Sequence, residues 1–185
     1  MRKMITVKIN GEERQYPQGA TYEDVANDYQ QEYENLIALA ARDGKIRELF
    51  KKLTRDCEVT FFTLKDDVGN KTYVRSATML FLKAVFDVYG REAAQSCRVE
   101  FAIGNGSYIS PKGKLNATEE NAAKIRNRMR ELVEAKTPFL KRSYSLDNAM
   151  ELFRKEGMKD KEKLFRYRRG SFVNIYELDG YYDYY

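Results

Sequence analysis

The chain has 185 residues, 33 basic against 28 acidic, no histidine, and a net charge of +5. With 43% hydrophobic and 33% charged residues it reads as one or two globular domains, not a disordered chain. No apolar run approaches the roughly 20 residues that cross a bilayer, and "MRKMITVKIN" lacks the apolar core of a signal peptide, so a cytoplasmic protein with no membrane partner is expected.

The first third alternates in short strands. "MITVKIN" ends at Asn10-Gly11, a strong hairpin signal, and "EERQYP" returns. Thr21 can cap a helix over "YEDVANDY" with Glu23 and Asp24 in its first turn. "NLIALAARDG" and "CEVTFFTL" follow as strand runs. Strands wrapped on one helix in this order predict a small β-grasp unit over residues 1–64. The polar stretch "KDDVGNK", with Gly69, predicts the boundary, and the second domain is expected over 65–185.

A helix is predicted from Tyr73 to Tyr89, apolar on most sides and therefore central, with Gly90 to stop it. "CRVEFAIG" is a strand, and "GNGSYISPKGK" a loop or hairpin. "NATEENAAKIRNRMRELVEAK" is an amphipathic helix capped by Thr118, with Ala122, Ile125, Met129, Leu132 and Val133 as its apolar stripe. "FLKRSY" is a strand, and Ser145 caps a helix carrying Leu146, Ala149, Met150 and Phe153, with Gly157 past its end. "FRYRRGSFVNIYELDGYYDYY" predicts strands around a Gly170-Ser171 turn, and its abrupt aromatic end suggests a piece of a longer polypeptide. The fold class is α+β.

Chemistry-bearing motifs are scarce. There is no GxxxxGK[ST] phosphate loop. Without histidine, Ser–His and Cys–His nucleophiles are impossible, and zinc would need carboxylates alone. Cys57 and Cys97 form no CxxC and read as small hydrophobes. Asp66 and Asp67 are adjacent and read as solvated. A binding or regulatory module fits better than a catalyst.

The ordered set of segments resembles a known family. "MITVKINGEERQYPQGATYEDVA" is similar to the TGS unit that opens threonyl-tRNA synthetase. "FTLKDDVGNKTYVRSATMLFLKAV" resembles the linker and first helix of that enzyme's editing domain, which in the family opens His-Ser-x-x-His. "GSFVNIYELDGYY" resembles the strand that there reads Phe-Val-Asp-Leu-Cys-Arg-Gly-Pro-His. The resemblance places the two helix histidines at Arg75 and Met79, the cysteine at Tyr176, the last histidine at Gly180 and the aspartate at Asn174. It keeps the serine as Ser76 and a lysine as Lys161. It therefore implies a degenerate editing pocket with no catalytic residue and no metal.

The same architecture, TGS unit plus degenerate editing-like domain, resembles the N-terminal half of bacterial nucleoside (uridine) kinases. This implies a non-catalytic regulatory or docking region whose partner is its own kinase domain beyond Tyr185. ATP and Mg²⁺ would be needed there and no cofactor here. The alternative is a tRNA-binding, editing-like module of a threonyl-tRNA synthetase relative. Met79 reads as core before ligand contact, Arg75 as solvent-facing before phosphate-binding, and Lys161 in "KDKEK" as a solvated charge before a catalytic one. Candidate RNA or phosphate contacts are Lys124, Arg126, Arg128, Arg130, Arg166, Arg168 and Arg169, with Lys141 and Arg142 beside them. A nucleoside or amino acid is the small-ligand alternative to tRNA.

Overall fold

The computed structural model describes residues 4–104, 106–111 and 115–184. Parts of the expected Gly-Asn-Gly hairpin, Asn105 and residues 112–114, lie outside them. The fold is α+β. It divides into two compact units, Met1–Ser76 and Ala77–Tyr185.

The first unit begins with β1 (Met4–Ile9) and β2 (Glu12–Pro17), joined through Asn10 and Gly11 at φ 51° and 88°. Positive φ at both positions gives the turn a twist that matches paired strands. α1 (Tyr22–Tyr29), β3 (Ile37–Arg42), β4 (Lys45–Arg47) and β5 (Cys57–Thr63) follow. The sheet order is β2-β1-β5-β3-β4, with β1 and β5 parallel and the other pairs antiparallel. That is the β-grasp topology. Alternation sends Ile5, Val7 and Ile9 inward onto Val25, Ala26 and Tyr29 of α1. Thr21 and Asp24 form a reciprocal capping box at the helix start, which stabilises α1 by about 1 kcal/mol.

In the same unit the Tyr16 hydroxyl donates to Asp28 Oδ2 at 3.0 Å. Burial first, and that bond second, push the phenol up to about 12. The folded unit thus holds this proton more tightly than the unfolded chain, where the ordinary value is 10.0. The contribution is complete below pH 10.0 and is lost as pH climbs toward about 12. Tyr16→Phe should flatten the alkaline fall in melting temperature over that window. An unchanged slope would show that another group governs it.

α2 (Asp67–Tyr89) starts six residues before the predicted Tyr73, so "KDDVGNK" is not a loop. Asp66 accepts from Thr63 N and Oγ1 at 2.6 and 2.9 Å, and Asp67 pairs with Lys71. Both carboxylates are exposed, as read from the sequence, and they also mark the start of the helix. The expected boundary after residue 64 falls at the end of β5. The compact units divide later, at Ser76, because the first turns of α2 pack with the first unit, Gly69 lying against Thr63 and Ala38.

The second unit holds α3 (Arg91–Ser96), β6 (Cys97–Ile103), β7 (Gly106–Pro111), α4 (Glu119–Glu134), β8 (Phe139–Ser145), α5 (Leu146–Lys155), α6 (Lys159–Arg166), β9 (Phe172–Leu178) and β10 (Tyr181–Asp183). Among the described residues β6 and β7 pair only with each other, and β10-β9-β8 form an antiparallel sheet. β9 alternates between two cores. Val173 and Ile175 pack with Ala149, Phe153 and Phe165 of α5 and α6. Tyr176 and Leu178 pack with Met79, Leu82 and Val85 of α2.

Three predictions need correction. α6 occupies a stretch read without a helix, its apolar side resting on Phe165 alone among its fully buried residues. The hairpin turn is Asp179-Gly180, not Gly170-Ser171, which links α6 to β9. Ala122 and Val133 of the α4 stripe are exposed, and Ile125 and Leu132 carry its burial.

Candidate functional site

The second unit holds Met79, Tyr176, Gly180 and Lys161. Met79 is 1% exposed and shares a core with half-buried Tyr176. Gly180, with Asp179, makes the β9–β10 turn at φ 77° and 44°, a geometry that favours glycine. Tyr176 pairs across the sheet with Asp183 on one side and Lys141 on the other. Lys141 holds its ammonium 5.4 Å from the Tyr176 ring centre. Asn174 lies on the same side of β9, exposed, opposite Ser143. Arg75 and Ser76 lie on the first unit's share of α2. Arg75 is exposed, and Ser76 Oγ donates to the Thr72 carbonyl at 3.1 Å.

Lys161 is not a solvated charge. Its ammonium is paired with the carboxylate of Asp183, which is 2% exposed. Asp183 Oδ1 also accepts the Tyr184 N–H at 2.6 Å. Burial lowers the Lys161 ammonium to about 8, and the adjacent carboxylate opposes that fall. A second buried lysine, Lys83, sits one turn beyond Met79 at 3% exposure. It donates to Asp87 Oδ1 at 2.8 Å and to the Asp179 carbonyl at 2.7 Å. Arg128 joins Asp87 at 2.9 Å and Glu131 at 2.9 Å. Sequence reasoning missed both Lys83 and Asp183. The signal was present for the first: one lysine inside "LFLKAVF", with an aspartate four residues on.

The cluster therefore offers amines tied to carboxylates, a thioether in a core and a phenol. Burial pushes the Tyr181 phenol up, and it raises the Cys97 thiol, which favours its protonated form. Among the described residues no three cysteine, aspartate or glutamate side chains gather in metal-binding fashion. Nor is any helix among them long and apolar enough to cross a membrane.

The basic candidates separate. On α4, Lys124 pairs with Glu120 at 2.7 Å, Arg126 with Glu119 at 3.4 Å, and Arg128 with Asp87 and Glu131. Arg142 lies 3.7 Å from Glu177, and Arg166 3.8 Å from Glu162. Arg168 sits over the Tyr184 ring at 5.1 Å. Among the described residues Arg130 and Arg169 make no ion pair. The helix face expected to track a backbone is thus largely neutralised by its own carboxylates, and of Arg130 and Arg169 the first stays on α4 and the second lies after α6.

Comparison with known proteins adds the length of the likeness. The chain is similar to the threonine–tRNA ligase of Thermotoga neapolitana, 28% identical over 187 residues. That match covers 94% of this chain and 28% of that protein. The ligase of Carboxydothermus hydrogenoformans is 25% identical over 183 residues, and that of Maricaulis maris 26% over 183. Each covers 93% of this chain and 28% of the relative. These relatives are threonine–tRNA ligases. The chain spans little more than a quarter of their length. No family model matches it.

Proposed function

We propose that the chain is a tRNA-binding, editing-like module related to the N-terminal region of threonine–tRNA ligases, with its hydrolytic groups replaced. The observation that carries this reading is the pairing of Lys161 with buried Asp183, with Met79 buried in the same unit's core. Hydrolysis of an aminoacyl ester needs a positioned base or an activated water. Here the amine that could serve is held by a carboxylate, and the positions that the resemblance fills with histidine and cysteine hold arginine, methionine, tyrosine and glycine. The near end-to-end likeness to proteins named for tRNA supports tRNA as the partner.

The test uses threonyl- and seryl-tRNA in two assays. Binding should weaken steeply with salt, as counterion release requires, and release of free amino acid should not exceed buffer. Deacylation abolished by Lys161→Ala would overturn the silent site. Affinity no tighter than for random polyanions would overturn the tRNA partner.

The nucleoside (uridine) kinase parent, with its ATP and Mg²⁺, draws no support from the reported relatives, which all carry the ligase name. A GxxxxGK[ST] motif opening a helix past Tyr185 in the coding sequence would restore it.

A further inference from the structure

We propose that the corner between α6 and β9 is a stacking site for single-stranded nucleic acid. It goes beyond the function proposed above, because it needs neither an aminoacyl ester nor the cluster around Lys161.

Residues 163–172, "KLFRYRRGSF", carry four cations and no carboxylate. Two aromatic rings flank the arginines and are not used by the core. Tyr167 is 85% exposed and Phe172 67%. The ring that the fold does use is Phe165, at 1%. Between the two exposed rings the chain turns through Gly170 at φ 147°, so Arg168 and Arg169 are presented in the loop that separates them. Arg169 makes no ion pair among the described residues, and Arg168 rests on Tyr184. Glu162, just before this stretch, is already held by Arg154 at 2.9 Å and by Arg166.

Exposed rings flanking forked guanidinium donors fit a strand whose bases are free to stack and whose phosphates accept bidentate bonds. A duplex hides its bases and would use only the charge. Arginine outnumbers lysine three to one here, which favours the planar fork over the point charge. An anionic membrane surface would instead be met by a continuous apolar helix face, whereas Tyr167 and Phe172 are two separate rings, one just past α6 and the other at the start of β9.

The experiment is fluorescence anisotropy of the intact chain with a labelled oligouridylate of about twelve nucleotides, its deoxythymidylate counterpart, an RNA duplex of equal length and phosphatidylserine vesicles. The expected result is preference for the single strands over the duplex and vesicles. Tyr167→Ala with Phe172→Ala should weaken strand binding about tenfold or more without altering the salt slope. Arg169→Ala should reduce that slope by about 0.7. Tyr167→Phe, which keeps the ring, should bind as the parent does. The proposal is overturned if the double variant binds as tightly as the parent, if duplex or vesicles are preferred, or if no strand binds. Strand binding that survives the loss of tRNA specificity would remove the earlier reading and leave this one standing.

Discussion

Replacing Asp183 with alanine should destabilise the second unit by about 3 kcal/mol. Asp183 is 2% exposed, and its carboxylate carries both the Lys161 ammonium and the Tyr184 N–H. Alanine removes the buried carboxylate that pairs this lysine, and breaking one side of a buried pair costs about 3–5 kcal/mol. Lys161 retains 29% side-chain exposure, so water reaches it and the low end applies. Urea unfolding followed by tyrosine emission measures the loss. Lys161→Met combined with Asp183→Leu should recover most of it, since a matched apolar pair carries no desolvation cost. A loss in Asp183→Ala of less than about 1 kcal/mol, the scale of an exposed pair, would mean the contact is a surface ion pair and nothing more.

Gly69→Ala should also destabilise, against the usual direction for a helix. Alanine in place of glycine ordinarily favours a helix by about 1 kcal/mol. At this position the new methyl would collide with the Thr63 carbonyl oxygen and lie 2.9 Å from its carbonyl carbon. Thr63 cannot retreat freely: its N–H and hydroxyl are bonded to Asp66, and its carbonyl accepts from Asp66 N at 3.1 Å. Overpacking against fixed backbone costs about 1–3 kcal/mol and outweighs the propensity gain. A lower melting temperature for Gly69→Ala is the expected outcome. An increase would show that β5 and α2 separate without penalty.

Local signals in the sequence account for most of the first unit. Asn10-Gly11, the Thr21 cap and the alternation of Ile5, Val7 and Ile9 each act over a few residues, and each element follows from its own stretch. The start of α2 was obscured because a polar first turn with a glycine resembles a loop. Only the bonds from Thr63 to Asp66 reveal it as a capped helix. α6 was hidden by composition, since a short charged helix that buries one phenylalanine leaves almost no periodic trace.

The candidate site was half legible. The positions of Met79, Tyr176, Gly180 and Lys161 could be named from the segment order; Met79 and Tyr176 share a core, and Lys161 meets Asp183, the strand partner of Tyr176. What those residues touch could not be named. Lys83 meets the Asp179 carbonyl across 96 positions of sequence, and Lys161 finds its partner in an aromatic tail that gave no reason to expect a buried carboxylate.

The grip of Lys83 on Asp179 bears on how this domain tolerates rearrangement. Two-residue hairpin turns with a glycine are ordinary choices for grafting a loop or opening new termini. Here the carbonyl of the turn is hydrogen-bonded to a lysine seated inside the fold. Lengthening that turn would pull the acceptor away and leave the ammonium, seated at 3% exposure, with one fewer hydrogen bond beside its pair with Asp87. Insertions at this turn therefore cost a buried hydrogen bond that an ordinary exposed hairpin would not.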